Sequence, residues 1–199
     1  MGPSHYFDAE PGAASRPGTV ELSLPDGRVE LAVDRGVFAA GRVDPGTLVL
    51  LRAVPPPPPA GDLLDLGCGY GPIACTLARR APGATIWAVD VNRRARQLAA
   101  ANAAALGLVN VRVAGPAEVD PSVRFAGIWS NPPIRIGKDA LHELLGTWLP
   151  RLAPGGSAWL VVQRHLGADS LAAWLAGQGW SVRRAGSKQG YRVLEVTPA

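Results

Sequence analysis

The stretch Leu63-Leu64-Asp65-Leu66-Gly67-Cys68-Gly69-Tyr70-Gly71-Pro72 constrains the fold of this chain more than any other. An apolar run carrying one acid, Asp65, leads into three glycines at alternate positions. Glycine has no Cβ, so the chain can turn there through left-handed conformations and leave bare backbone for a ligand to approach. Pro72 suits the first position of a helix, whose free N-terminal N–H groups then face the turn. Strand, glycine turn and helix in succession read as a nucleotide-cofactor loop. The same pattern also serves as a plain tight connection, so the residues downstream must decide.

Beyond the glycine turn, short apolar strands alternate with helical patterns in the manner of an α/β sheet. Leu63 to Leu66 is expected as a strand and Pro72 to Arg80 as a helix. Thr85 to Val89 then forms a strand ending at Asp90. Asn92 caps a helix from Arg93 to about Leu106, stopped by Gly107. Val109 to Val113 and Phe125 to Ser130 are the next two strands. From Lys138 to Leu152 the residues Leu141, Leu144, Leu145, Trp148, Leu149 and Leu152 make the apolar stripe of a helix laid on a sheet. Pro154-Gly155-Gly156 closes it. A strand over 157–162, a helix over 169–176 and two strands over 180–184 and 191–196 complete the pattern, with most of the tryptophans in the core.

Before the sheet, His5-Tyr6-Phe7 opens a Pro/Gly-containing segment expected to be irregular. Val20 to Leu24 and Val29 to Val33 alternate apolar and polar residues around Pro25-Asp26-Gly27, a β-hairpin signal. Asp44-Pro45 supplies an N-cap and first helical residue ahead of Leu48, Leu50, Leu51 and Ala53. Pro55 to Pro59 cannot continue a helix and favours an extended spacer. The expected organisation is therefore an N-terminal extension over 1–54, a proline linker over 55–59 and the main domain over 60–199.

A chain of 199 residues with 47% hydrophobic content is long enough for one well-buried domain and is not of disordered composition. The 20 Lys and Arg residues outweigh 16 Asp and Glu residues to give a formal charge of +4, compatible with a polyanionic partner and equally with an Arg-rich coding bias. Cys68 and Cys75 are expected to be free thiols of a reducing compartment, because a disulfide would stiffen the turn that cradles the ligand. No signal peptide or membrane-length apolar run is legible, so the protein reads as cytoplasmic.

Two further features carry chemistry. Asp90 stands about twenty residues beyond the glycine turn, where a carboxylate reaches both hydroxyls of a ribose. A dinucleotide site wants Gly-x-Gly-x-x-Gly, but Pro72 occupies the third glycine's place, which disfavours a nicotinamide cofactor. Asp65 points toward the loop, where it orders backbone amides or accepts from an ammonium group. The tetrapeptide Asn131-Pro132-Pro133-Ile134 follows the fourth strand and shares the crevice at the carboxyl ends of the strands. Rigid prolines let the Asn131 side-chain oxygen and the Pro132 carbonyl aim at one point, and two fixed acceptors suit an NH2 donor. Hydrogen bonds of that kind favour a nitrogen that presents its lone pair to an electrophile. Asn131-Pro132 also fits a plain proline turn, and Asp90 a helix-terminal acid beside Asn92.

Asp65-Leu66-Gly67-Cys68-Gly69-Tyr70-Gly71, Asp90 and Asn131-Pro132-Pro133-Ile134, in this order and spacing, resemble the class I S-adenosylmethionine-dependent methyltransferases. The nearer resemblance is to the methyltransferase small domain group, which includes the RsmC-like ribosomal RNA guanine-N2 methyltransferases. His5-Tyr6-Phe7, Gly36-Val37-Phe38, Asp44-Pro45-Gly46-Thr47, the stretch 131–138 and Lys188-Gln189-Gly190-Tyr191-Arg192-Val193 extend it over nearly the whole chain. It implies a Rossmann-like, seven-stranded, mostly parallel sheet with helices on both faces and the last strand antiparallel. It also implies S-adenosyl-L-methionine as cofactor. Asp65, Gly67, Cys68, Gly69 and Gly71 would hold its methionine part, Asp90 its ribose and Val91 the adenine face. Asn131 and Pro132 would hold the target amine, with Asn131 also meeting the cofactor, Pro133 would hold the turn, and Ile134 would lie on the plane of the base. Arg135 and Lys138 would meet RNA phosphate or merely be solvated.

The implied activity is methylation of a nucleobase exocyclic amine in RNA, guanine N2 of small-subunit ribosomal RNA or a ribosomal particle, without a metal or a membrane. Protein glutamine methylation, small-molecule N-methylation and a non-catalytic cofactor- or RNA-binding module are the alternatives. The pattern departs from the group at Gly115-Pro116-Ala117, where an acid near the adenine is usual, with Glu118 following late. Adenine contacts would then fall to backbone near Ala117. It departs again at Phe125-Ala126-Gly127, which replaces a Phe-Asp pair.

Overall fold

The computed structural model describes residues 14–35, 37, 42–133 and 136–199. A two-stranded antiparallel hairpin, β1 (Gly18–Leu24) and β2 (Gly27–Val33), comes first, and Leu24 pairs with Gly27 across Pro25-Asp26. Helix α1 (Pro45–Ala53) starts at Asp44, whose Oδ1 accepts from the backbone N–H groups of Gly46 and Thr47 at 2.8 and 3.1 Å. This is the N-cap bonding that the Asp-Pro pair encodes.

The main sheet contains β3 (Ala60–Leu66), β4 (Gly83–Val89), β5 (Val111–Ala114), β6 (Phe125–Ser130), β7 (Leu152–Gln163), β8 (Trp180–Lys188) and β9 (Tyr191–Pro198), in the spatial order β5-β4-β3-β6-β7-β9-β8. Only the pairings made by β9 are antiparallel. Helices α2 (Pro72–Arg80) and α3 (Arg93–Ala105) follow β3 and β4, while α4 (Lys138–Trp148) and α5 (Ala168–Gly177) follow β6 and β7. The seven-stranded, mostly parallel sheet expected from the resemblance is therefore present. Strand order reverses between β3 and β6, the switch point where an open α/β sheet leaves a crevice at its carboxyl ends.

The period-2 alternation of the strands divides the core between the two faces. Leu63, Trp129, Val161 and Val193 point to the face that carries the hairpin, α1, α2 and part of α3. Leu64, Leu66, Ile128, Leu160 and Leu194 point to the face covered by α4 and α5. The hairpin and α1 bury Leu22, Leu31, Leu50 and Leu51 in the first of these cores. Arg80, at the end of α2, holds both carboxylate oxygens of Asp26 at 2.7 and 2.9 Å and the Leu51 carbonyl at 3.0 Å, tying hairpin and α1 to the sheet. Among the described residues no helix is long and apolar enough to cross a membrane.

Several boundaries differ from the sequence expectation for physical reasons. The third strand of the sheet begins at Val111, not Val109. Asn110 turns its amide back to the carbonyls of Ala78, Ala81 and Ala84, leaving Val109 in solvent. The stripe helix ends at Trp148 in a 3-10 turn, and β7 already starts at Leu152. Pro154-Gly155-Gly156 is therefore an irregularity within a strand and not a stop. A Cβ on Gly156 would lie 3.0 Å from the Phe125 carbonyl oxygen, so the close approach of β6 requires glycine there.

Candidate active site

The carboxyl ends of β3, β4, β6 and β7 open into a cleft of about 840 Å3. Gly67, Cys68 and Gly69 line it on one side together with Asp90 and Val91, and Asn131, Pro132 and Pro133 line it on another. Residues that lie more than sixty positions apart in the chain are thus brought to one site. Ile134 and Arg135 lie outside the described residues, as do His5-Tyr6-Phe7, Gly36 and Phe38.

The glycine turn takes its shape from backbone that only glycine adopts readily. Gly67, Gly69 and Gly71 have φ of 76°, 56° and 89°. Nothing lies within 4 Å of where a Cβ on Gly67 would stand. The N–H groups of Gly67 and Cys68 donate to the Val89 carbonyl, and the Gly69 N–H donates to Asp90 Oδ2 at 2.9 Å. Asp90 Oδ1 accepts from the Asn92 N–H at 2.8 Å, so this acid braces both the turn and the start of α3. Burial pushes the Asp90 carboxyl up, although these backbone donors and Arg96 pull it back.

Asp65, Gly71, Ala117 and Lys138 are not part of the cleft lining. Asp65 is fully buried beneath the turn, where Oδ2 accepts from the Ala74 N–H at 2.9 Å and Oδ1 has no partner among the described residues. Of the two roles expected for its carboxylate, ordering backbone amides is the one its geometry serves. Burial pushes its pKa up to about 8, with Asp90 adding to the shift. Gly71 packs under α3, 3.2 Å from Ala99 at the position of a Cβ. Ala117 is exposed on a 3-10 turn (Pro116–Glu118) whose Glu118 carboxylate accepts from the Gly115 N–H, and its neighbour Pro116 borders the cleft. Lys138 is exposed at the first residue of α4.

Both cysteines are free, and burial pushes the thiols up, Cys75 to about 12. Neither is an activated nucleophile. His142 stacks on Trp174, with ring centroids 3.8 Å apart, and serves the packing of α4 on α5. Among the described residues no group of three or more His, Cys, Asp or Glu is arranged to hold a metal.

Sequence reasoning missed the surroundings of Asn131. Its Nδ2 donates to Asp44 Oδ1 at 2.8 Å and to Thr47 Oγ1 at 3.1 Å, so the start of α1 forms one wall of the cleft. Read from the residues alone, the Asp44-Pro45 pair signalled a helix start, and the resemblance marked Asp44-Pro45-Gly46-Thr47 as a landmark without assigning it a contact to Asn131. Tyr191, whose hydroxyl accepts from Gln163 Nε2 at 2.9 Å, closes the site beyond α1. Tyr70 also lines the cleft with a buried hydroxyl that has no partner among the described residues.

Residues 28–195 match the family model described as methyltransferase small domain. The chain is 34% identical over 195 residues to the uncharacterized protein YbxB of Bacillus subtilis (strain 168), covering 96% of this chain and 97% of that protein. It is 34% identical over 173 residues to ribosomal RNA small subunit methyltransferase C of Pseudomonas aeruginosa (strain LESB58), covering 80% of this chain and 52% of the relative. The chain thus spans nearly all of the first and about half the length of the second. Among solved structures it is similar to the T. Thermophilus 16S rRNA N2 G1207 methyltransferase (RsmC) in complex with AdoMet and guanosine. The TM-score is 0.77 at 25% identity, over 95% of this chain and 52% of that one. With a family match across most of the sequence and a relative aligned almost end to end, the chain belongs to the methyltransferase small domain family and is, by that membership, a methyltransferase.

Proposed function

We propose that this protein transfers a methyl group from S-adenosylmethionine to the exocyclic amine of a nucleobase in RNA, with guanine N2 of small-subunit ribosomal RNA as the favoured target. The observation that carries the reading is the single cleft joining the glycine turn and Asp90 to Asn131 and Pro132. A donor site and an acceptor site that share one space permit direct transfer. The relatives named for small-subunit ribosomal RNA methylation, one of them solved with AdoMet and guanosine, support the choice of cofactor and base.

The residues present fit S-adenosylmethionine. The volume suits a ligand of that size. Bare backbone at Gly67 admits close approach, and Tyr70 Oη is a hydroxyl with no hydrogen-bond partner among the described residues. Asp90 keeps lone pairs beyond the two it gives to Gly69 and Asn92, enough to accept from ribose hydroxyls. Val91 and Pro116 provide apolar surface for a base, in keeping with adenine held by shape and backbone near Ala117 instead of by an acid. Asp65 shapes the turn from below through α2, and Gly71 lets the turn enter α2 close against α3.

When bound, this cofactor would supply a methyl group on a sulfonium sulfur, open to in-line attack by a nitrogen lone pair, with the C–S bond breaking and its electron pair leaving on sulfur as a thioether. The chain's own contribution is position. Asn131 Oδ1 and the Pro132 carbonyl accept the amine hydrogens and hold its nitrogen toward the donor side. The proton released afterward leaves to solvent, so no side-chain base is required. Ile134 would pack on the acceptor base. Arg135 and Lys138, with Arg164 and His165 exposed between the cleft-lining Gln163 and Leu166, are the groups proposed to meet phosphate.

Incubation with methyl-labelled S-adenosylmethionine and either naked small-subunit ribosomal RNA or its assembly particles, followed by nucleoside analysis, should yield N2-methylguanosine. Label recovered in protein glutamine, or in a small molecule and not in RNA, would overturn the substrate assignment.

A further inference from the structure

A carboxamide has one accepting end and one donating end, and only its surroundings decide which end faces a ligand. At Asn131 the decision is made by α1. Nδ2 lies 2.8 Å from Asp44 Oδ1 and 3.1 Å from Thr47 Oγ1, whereas Oδ1 meets no hydrogen-bond donor among the described residues. Turning the amide over would set its oxygen against a carboxylate oxygen and forfeit both bonds. Asp44 cannot yield easily, because the same Oδ1 caps α1 by accepting from Gly46 and Thr47. The cap itself is tightly enclosed. A Cβ on Gly46 would stand 2.7 Å from the Tyr191 ring and 2.9 Å from Asp44 Oδ1. Thr47 is 4% exposed and therefore has little freedom to turn its hydroxyl elsewhere.

We propose that Asp44 and Thr47 are positioning residues that lock the Asn131 amide with its oxygen toward the cleft, so that the acceptor site admits a hydrogen-bond donor such as an amine and rejects a carbonyl. The proposal rests on the reading that Asn131 receives the target group, and it deepens it. A site of fixed accepting polarity selects against a carbonyl oxygen, because two lone pairs would face each other without a proton between them. It also makes the N-terminal helix part of the acceptor site, across a separation of 87 residues.

The test uses Asp44→Ser, Thr47→Val and their combination. Serine is a good N-cap but too short to reach Asn131, and valine keeps the shape of threonine without its acceptor. Asp44→Asn retains an oxygen at the capping position and serves as the conservative rescue. Two readouts are required. In protein labelled with 15N-asparagine, the Asn131 side-chain NH2 should exchange slowly with solvent in the parent and at least about tenfold faster in the double variant, as expected when charge-assisted bonds are lost. The Asn102 amide should be unchanged. In methyl transfer, kcat should fall on the order of 10- to 100-fold in the double variant, with the dissociation constant for S-adenosylmethionine within about twofold. Asp44→Asn should recover most of the loss.

In an Asn131→Ala background, Asp44→Ser should cost nothing further, because it acts through a side chain that is gone. Full additivity of the two substitutions, or an Asn131 amide that exchanges as slowly without Asp44 and Thr47 as with them, overturns the proposal. Circular dichroism and melting temperature exclude a trivial loss of fold, and the exchange measurement needs no acceptor. If wild type fails to methylate RNA while the amide behaves as described, the substrate assignment has failed and the lock has not.

Discussion

Asn102 connects three parts of the molecule through one buried amide. It sits on α3 with 3% exposure, its Oδ1 accepts from the Ala32 N–H at 2.7 Å, and its Nδ2 donates to the carbonyls of Ala32 at 3.0 Å and Tyr70 at 2.8 Å. Among the described residues strand β2 has a strand partner only in β1, so Asn102 provides for Ala32 what a further strand would have provided. Asn102→Ala removes three hydrogen bonds, each worth about 0.5–1.5 kcal/mol net, and leaves backbone groups without partners. Alanine's higher helix propensity returns about 0.5 kcal/mol. The expected loss is roughly 2–4 kcal/mol, or about 4–16 °C in melting temperature for a chain of this size.

Release of the Tyr70 carbonyl also loosens the glycine turn, so affinity for S-adenosylmethionine should fall several-fold. Asn110→Ala is the control. That amide also makes three bonds, to Ala78, Ala81 and Ala84, but at the far end of α2 from the turn. It should cost stability and leave cofactor affinity unchanged. Urea denaturation and titration calorimetry on both variants decide the matter. A loss under about 1 kcal/mol for Asn102→Ala would refute the reasoning, as would equal cofactor affinities in the two variants.

Asn131→Ala should lower kcat by about 10²- to 10³-fold with little change in cofactor affinity, measured by steady-state methyl transfer and calorimetry. Gly71→Ala should destabilise by roughly 1–3 kcal/mol in urea denaturation. It forces a side chain into a φ of 89° and to within 3.2 Å of Ala99. The Asp65 carboxyl, pushed by burial from 3.8 to about 8, should make stability depend on pH in the opposite sense to an ordinary salt-bridged acid. The folded state then holds a proton that the unfolded state has released, so its contribution is fully present below the unfolded value and is lost as pH rises toward 8. The slope reaches at most about 1.4 kcal/mol per pH unit. Asp65→Asn should flatten the dependence of unfolding free energy on pH between 5 and 8, and an unchanged slope would show that Asp65 is not its source.

Legibility in the sequence followed the range of the forces involved. Asn92 and Asp44 were readable as caps because an N-cap bond spans two or three residues, and both make that bond. The strands were readable because a short apolar run such as Leu63, Leu64 and Leu66, buried on both faces of the sheet, is a local signal. Irregular strand ends were not. Strand β8 runs on to Lys188 through a register shift at Arg184–Gly186. Gly186 fits there because a Cβ would meet the Ala53 side chain of α1 at 2.9 Å, a contact across 133 positions that leaves no mark on the neighbouring residues. The partnership of Asp44 with Asn131 was hidden for the same reason. One carboxylate oxygen serves a local cap and a distant amide at once, and the local use explains the residue type completely.

Helix α1 shows why the distant use matters. Its buried face sets Val49, Leu50 and Leu51 into the core shared with the hairpin, α2 and the inner face of the sheet, and its body lies against β7, β8 and β9. Those contacts fix the height and rotation of the helix, and hence the position of its first turn. Asp44 and Thr47 belong to that turn, and through them the helix meets Asn131 at the end of β6. A hydrogen-bond lock needs its parts held to within a few tenths of an ångström, which a loop seldom provides and a helix seated in a packed core does. The apolar contacts that secure the helix are therefore the same contacts that hold the acceptor amide in one orientation.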